Sequence, residues 1–297
     1  MYLGIEIGGT KLQLGVGRGD GQVLALWRGT VDAAAGGEGI RRQIVAAVPE
    51  LLTQASLSRS DLRGVGVGFG GPTDDDTQSV IKSHHIAGWD GFPLAAWLTE
   101  VVGLPTVICN DADVAGLAEA LHGAGRGLSP IFYITAGSGI GGGLVIDGQI
   151  YRGVGKGAAE VGHMRPVFPL DDPRRGSILE DFASGWGIGR AAGTTGLAVA
   201  DAARRGEPES LRILDAAAQA LAEGICSVIK LLCPRRVIVG GGVSLIGEDL
   251  LFAPVRRYVA ERGFAAFAGL TDIVPAALGE EVVLHGALAL ARQKFGR

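Results

Sequence analysis

Residues 2–27 read YLGIEIGGTKLQLGVGRGDGQVLALW, and residues 131–152 read IFYITAGSGIGGGLVIDGQIYR. Each is an apolar run, a glycine-rich turn, a second apolar run, and an Asp-Gly pair that leads into a third run. Asp-Gly between apolar runs predicts a hairpin, because a type I′ turn needs φ > 0 at both central residues. Strands are therefore expected over 2–7, 11–16 and 22–27, and again over 131–135, 144–146 and 149–152. Asp20-Gly-Gln-Val and Asp147-Gly-Gln-Ile are near copies. Recurrence of the whole pattern predicts an internal duplication.

Outside the repeat, helical and extended patterns alternate. Ile40, Ile44, Val48 and Leu51 share one face of a predicted helix over 39–55. A strand over 64–69 ends in Gly-Gly-Pro. A helix over 94–101, a strand over 106–109 and a helix over 114–121 follow. Leu211, Leu214, Ala218, Leu221, Ile225 and Ile229 are in register on a long helix over 208–232. A strand over 236–239 runs into Gly240–Gly242, and helices over 249–262 and 282–294 close the series. Two βββ units, each followed by α/β elements, predict an α/β fold of two similar lobes with a central cleft. The N-terminal lobe is expected over residues 1–115, with the last helix (282–297) as a candidate to rejoin it. The larger C-terminal lobe is expected over 116–281.

Composition narrows the function. With 297 residues, 47% hydrophobic and 20% charged, the chain can bury a sizeable core. Its net charge of -4, with both signs interspersed, weighs against a nucleic-acid surface, which needs a basic patch. Cys109, Cys226 and Cys233 sit in apolar runs without CxxC spacing, as reduced thiols of a cytosolic protein do. The opening MYLGIEIGGTK has no basic n-region and no apolar h-region. The uncharged run 130–146 is broken by glycines, so no membrane span is expected. Cytoplasmic location follows as the expectation. The 50 glycines, without a collagen period, call for turns with φ > 0 or for close backbone approach.

Several of these glycines fall where chemistry could be. Gly8-Gly9-Thr10-Lys11 is either a plain hairpin or a turn whose amides, hydroxyl and ammonium face an anion. Gly137-Ser138-Gly139 occupies the equivalent place in the second unit, and Gly240, Gly241 and Gly242 end a strand before an expected helix start. Asn110-Asp111 ends a strand and precedes a helix. The pair is either an ordinary cap or a carboxylate placed to take a proton from a hydroxyl. Glu160 and His163, three residues apart, are candidates to receive sugar hydroxyls; otherwise they are a surface Glu and a core His. Glu180 is a third polar candidate, or a plain helix-surface Glu.

Taken together, IEIGGTK (5–11), GVGFGGP (66–72), GWDGFPL (88–94), CNDADVAGLAEA (109–120), TAGSGIGGGLVIDGQIYRGVGKGAAEVGHM (135–164) and PRRVIVGGGVS (234–244) resemble the ROK family of repressors, open reading frames and sugar kinases. The resemblance implies an actin-like ATPase (ribonuclease H-like) fold, frequently a homodimer, that phosphorylates a hexose with ATP and Mg²⁺. Glucose at the 6-hydroxyl is the leading substrate; fructose, mannose and N-acetylated amino sugars are the other candidates. Carried over position by position, Asp111 resembles the general base. Asn110, Gly71, His85, Glu160, His163 and Glu180 resemble the sugar contacts. Gly8, Gly9, Thr10, Lys11, Gly137, Ser138, Gly139, Gly240, Gly241 and Gly242 resemble the nucleotide contacts.

Three positions depart from the family pattern. Glu6 stands where Asp is usual, near the expected Mg²⁺ and its waters. Residues 165–179 contain no cysteine, so no zinc site is expected, and Pro166, Pro169 and Pro173 are expected to hold that loop. His85 stands where Asn is frequent, beside the sugar pocket. Among other readings, a repressor would need a helix-turn-helix ahead of the first glycine motif, which begins at residue 8. A sugar sensor without catalysis draws support only from Glu6 and the absent zinc loop.

Overall fold

The computed structural model describes residues 1–83, 86–167 and 176–296. In chain order, β1 (Tyr2–Ile7), β2 (Lys11–Gly17) and β3 (Val23–Thr30) lead into α1 (Gly36–Gln54). Next come β4 (Val65–Phe69), a small hairpin of β5 (Thr73–Asp74) and β6 (Ser79–Val80), and α2 (Leu94–Val102). β7 (Thr106–Asn110) runs directly into α3 (Asp111–His122). The repeat returns as β8 (Ile131–Ala136), β9 (Ile140–Ile146) and β10 (Gln149–Ile150). Helices α4 (Glu180–Ala183), α5 (Gly185–Ala191), α6 (Gly196–Arg204) and α7 (Pro208–Leu232) precede β11 (Arg236–Gly240). Then α8 (Ala253–Arg262), β12 (Asp272–Pro275) and α9 (Val282–Phe295) complete the described elements.

These elements pack as two units. The first is Met1–Gly123, Gly148–Ala158 and Glu280–Arg297; the second is Ala124–Asp147 and Ala159–Gly279. In the first unit the sheet order is β3-β2-β1-β4-β7. β2 is antiparallel to both β1 and β3, while β4 and β7 run parallel to β1. Ile40, Ile44 and Leu51 of α1, with Leu94 and Leu98 of α2, join Ile5, Leu14, Val65 and Val67 in one core. Burying each such side chain contributes about 1.5–3 kcal/mol.

α9 packs on β1 and β4 and against α3. β4 reads VGVGF, and its period of two puts both glycines on the same face. A Cβ at Gly66 would strike the carbonyl of Ala287, and one at Gly286 would strike the carbonyl of Val114. Missing side chains on both partners are what let α9 settle onto the strand and onto α3.

The second unit repeats the arrangement. β9 is antiparallel to β8, β11 is parallel to β8, and β12 is parallel to β11. This matches the succession β2-β1-β4-β7, as the duplicated sequence predicts. Leu214, Leu221, Ile225 and Ile229 of α7 form its core with Phe132, Ile134, Val237 and Val239.

The turns differ from one another. Asp147 (φ 51°) and Gly148 (φ 73°) form the expected two-residue turn. Around Asp20, positive φ falls instead on Gly19 (66°) and Gly21 (92°), and the β2–β3 register shifts at Val16/Gly17. The longer loop and the bulge replace a type I′ turn there. β9 starts at Ile140, so Gly141–Gly143 are strand residues; a Cβ at Gly142 would strike the Ala159 carbonyl. Beyond β11, Gly242–Ile246 is a single 3₁₀ turn and not the expected α-helix start. Gly241 (φ 81°) and Gly247 (φ 101°) bracket it and block α-helical continuation on both sides.

The segment 148–158 packs with the first unit for a chemical reason. Lys156 pairs with Asp74, Asp75 N donates to Gly155 O at 2.8 Å, and Arg152 Nε donates to Asp75 Oδ1 at 3.1 Å. The Lys156 hydrogen bond holds the Asp74 carboxyl down at about 2. No described helix is long and apolar enough to cross a membrane.

Candidate active site

In the first unit, the carboxyl ends of β1, β4 and β7 bring together the first glycine turn, Gly70-Gly71 and Asn110-Asp111. Gly8 N donates to Lys11 O at 3.0 Å and Val31 N to Thr10 O at 3.1 Å, which closes the turn tightly. Gly70 N donates to Ile7 O at 2.8 Å. A Cβ on Gly70 would lie 3.5 Å from Asp111 Oδ2 and 3.6 Å from Gly8 Cα, so the carboxylate stands beside both backbones.

Asn110 is the N-cap of α3 in the ordinary sense. Its Oδ1 accepts from Ala112 N at 2.9 Å and from Asp113 N at 3.3 Å, while its Nδ2 donates to Gly71 O at 3.1 Å. The cap starts α3 at Asp111, three residues before the start read from periodicity. It also fixes Asp111 as the first helical residue, half-buried, with Oδ1 accepting from Ala112 N at 2.8 Å. The cap and base readings of this pair are thus compatible: the cap on one residue aims the other.

Glu6 is buried next to this constellation. Lys11 Nζ lies 3.0 Å from Glu6 Oε1 and also donates to Glu280 O at 3.0 Å. Burial pushes the Glu6 carboxyl up to about 7; Lys11 pulls it back, and the negative charge of Asp111 adds to the rise. Glu6 Oε2 is buried without a hydrogen-bond partner. A hard oxygen of this kind fits a cation or its water, which is the role expected at this position. Among the described residues, no group of three or more His, Cys, Asp or Glu is placed to hold a metal ion on its own. Mg²⁺ carried by a nucleotide needs only one or two carboxylates.

In the second unit, the ends of β8 and β11 bring two glycine turns side by side. Gly240 pairs with Thr135 across the sheet, and a Cβ on Gly241 would strike the backbone of Ala136. The turn Gly137–Gly139 is braced from behind: Gly185 N donates to Gly137 O at 2.7 Å, and Glu180 Oε2 accepts from Ile140 N at 2.7 Å. Glu180 is therefore more than a helix-surface residue; one of its oxygens holds the start of β9. Glu160 precedes and His163 ends a 3₁₀ turn (Val161–His163), with Oε2 and Nδ1 3.7 Å apart. Their side chains are 58% and 67% exposed, so His163 is not a core-satisfied histidine.

Ser138, Gly241 and Gly242 are exposed, as residues that face a ligand must be. His85 lies outside the described residues, as do Pro169 and Pro173. Sequence reasoning missed Arg152 and Asp113, a buried pair behind Asn110-Asp111 with Nη1 and Oδ2 2.5 Å apart. The available signal was an arginine inside the glycine-rich stretch YRGVGKG, where a solvated turn needs none.

The sequence profile of the ROK family matches residues 2–294. The chain belongs to the ROK family. The glucokinase of Halalkalibacterium halodurans is 30% identical, with 99% of this chain and 95% of that one covered. The crystal structure of a ROK family glucokinase from Streptomyces griseus, in complex with glucose and AMPPNP, is 31% identical. It covers 98% of this chain and 99% of its own, with a TM-score of 0.80. A ROK hexokinase from Thermus thermophilus is 28% identical, with a TM-score of 0.83 over 99% of this chain and 98% of its own. The α/β fold is accordingly that of ROK kinases, the actin-like ATPase (ribonuclease H-like) fold that the resemblance implies. As in other ROK sugar kinases, the chemistry is phosphoryl transfer to an alcohol.

Proposed function

We propose that this ROK protein transfers the γ-phosphoryl group of ATP to the 6-hydroxyl of glucose, with Asp111 as general base. The observation that carries the reading is the placement of Asp111, half-buried at the β7–α3 junction with Oδ2 beside Gly70 and Gly8. Full-length similarity to a glucokinase crystallised with glucose and AMPPNP supports the choice of sugar and nucleotide.

Asp111 accepts the proton of the attacking hydroxyl as the new O–P bond forms and the bond from the γ-phosphorus to the bridging oxygen breaks, releasing ADP, so no covalent enzyme intermediate is needed. Asn110, Gly71, Glu160, His163 and Glu180 hold the sugar's hydroxyls. Exposed carboxylate and imidazole groups at Glu160 and His163 suit paired hydroxyls, one accepting and one able to donate or accept. The turns at Gly8, Gly9, Thr10 and Lys11, at Gly137, Ser138 and Gly139, and at Gly240, Gly241 and Gly242 hold the nucleotide through backbone amides. Glu6 Oε2 would receive Mg²⁺ or its water; when bound, the ion neutralises charge developing on the phosphates. A cytoplasmic homodimer is part of the reading. Trp186, Leu197 and Leu245 leave large apolar surfaces in solvent on the second unit, as a subunit contact would use.

The deciding experiment is a coupled ADP-release assay with ATP and Mg²⁺ against glucose, mannose, fructose, N-acetylglucosamine, N-acetylmannosamine and allose. Turnover is expected to be highest with glucose. Higher turnover with another sugar reassigns the substrate. Silence across the panel, with folded protein and a thermal shift on adding sugar, replaces the kinase by a sensor.

A further inference from the structure

We infer that Arg152 is a positioning residue for Asp111, acting through Asp113; the inference rests on the kinase reading above. Arg152 belongs to the segment 148–158, and its side chain is 10% exposed. Its guanidinium uses all three nitrogens. Nη1 lies 2.5 Å from Asp113 Oδ2, and Nε donates to Asp75 Oδ1 at 3.1 Å and Oδ2 at 3.3 Å. Nη2 donates to Thr73 O at 2.8 Å and to Thr73 Oγ1 at 3.0 Å. One planar fork therefore ties the β5 hairpin to the first turn of α3, a geometry that a single ammonium cannot span.

Asp113 is 1% exposed and lies two residues beyond Asp111. Its backbone N donates to the capping oxygen of Asn110 at 3.3 Å, and Cys109 Sγ approaches its Oδ2 at 3.9 Å. Burial, reinforced by the Asp113 charge, raises the Cys109 thiol, so it stays protonated as a donor. Burial alone would lower the Arg152 guanidinium, but Asp113 and Asp75 outweigh it and keep the group charged. The first turn of α3 is thus anchored on both sides of Asp111: Asn110, just before it, to Gly71, and Asp113, two residues after it, to Arg152. A carboxylate at the first position of a helix moves with that helix's first turn. A misplacement of about 1 Å at a reacting group can cost on the order of 10²-fold in rate.

The test is a mutant cycle among Arg152→Met, Asp111→Asn and the double variant, with kcat, glucose and ATP affinities and melting temperature measured for each. Arg152→Met is expected to lower kcat about 10–100-fold while both affinities stay within about threefold. In the Asp111→Asn background the same change is expected to lower the residual rate less than about twofold, because the group it positions is gone. Arg152→Lys, with one ammonium for three acceptors, is expected to recover only part of kcat. An equal fold-loss in both backgrounds would overturn the inference and make Arg152 a general structural residue. If Arg152→Met does not fold, Asp113→Asn and Arg152→Lys are read in the same cycle, and unchanged kcat in both overturns it. Absence of sugar-dependent turnover in the parent protein would sink the kinase reading instead, so the two failures are distinguishable.

Discussion

Lys11 Nζ stands 3.0 Å from Glu6 Oε1, across the glycine turn that joins β1 to β2. That one cation does not offset the burial of the Glu6 carboxyl, which is raised from 4.5 to about 7. Between these values the folded chain binds a proton that the unfolded chain does not. Stability from this group is present below about pH 4.5 and is lost as pH rises through about 7. The shift corresponds to about 3 kcal/mol at most. Denaturant unfolding at pH 5 and pH 8 is expected to show wild type losing stability over that interval and Glu6→Gln losing less. Parallel losses in the two proteins would remove Glu6 as the cause.

Asp111→Asn keeps the size and the cap but removes the basic oxygen. The expected loss in kcat is about 10²–10⁴-fold, with glucose affinity by calorimetry changed only a few-fold. Retention of more than about a tenth of the wild-type rate would show that another group takes the proton.

Glu180 Oε2 is the acceptor for Ile140 N, and Ile140 is 4% exposed. Glu180→Ala leaves that amide buried and unpaired, at a cost of about 1–3 kcal/mol, whereas Glu180→Gln retains an acceptor. Melting temperatures are expected in the order wild type, Gln, Ala. The KM for ATP should rise with Ala, because the turn Gly137–Gly139 loses its brace. A KM for ATP that stays constant across the three proteins separates the brace from nucleotide binding.

At the crossing of α3 and α9, a methyl group at Gly286 would occupy the place of the Val114 carbonyl. Gly286→Ala is expected to destabilise the chain by about 1–3 kcal/mol, measured by denaturant unfolding. Gly206 (φ 83°), with no atom within 4 Å of its would-be Cβ, is the control for backbone strain alone. A loss near zero at Gly286, which lies inside α9 and has no positive φ, would mean that the helix can shift to make room.

Much of this architecture was legible because local chemistry and tertiary packing agree. Pro208–Leu232 has the bounds that its periodicity gave, since twenty-five residues of apolar stripe leave little choice. Leu211, in register on that stripe, is nevertheless 37% exposed, and it is Ser210 that the first turn of α7 buries. α5 and α6 were not foreseen. Their sequence, GWGIGRA and GLAVADAAR, opens with glycines that read as loop. Gly187 lies inside α5, and a Cβ there would strike the Asp181 carbonyl, so its glycine serves a close approach to α4 that has no sequence signature. In the site, the glycine turns and Asn110-Asp111 could be read because each sits at a strand end. Arg152 and Asp113 could not, since their pairing joins residues 39 positions apart in sequence.

The C-terminal helix covers β1 and β4, yet it is encoded after the whole of the second unit. On the ribosome, the opening strands emerge with their α9 face uncovered and wait through synthesis of residues 124–279 for the helix that seals it. The second unit carries its own core in that interval and can assemble first. A released fragment ending before residue 282 would hold every element of the second unit and a first sheet with that face open to solvent.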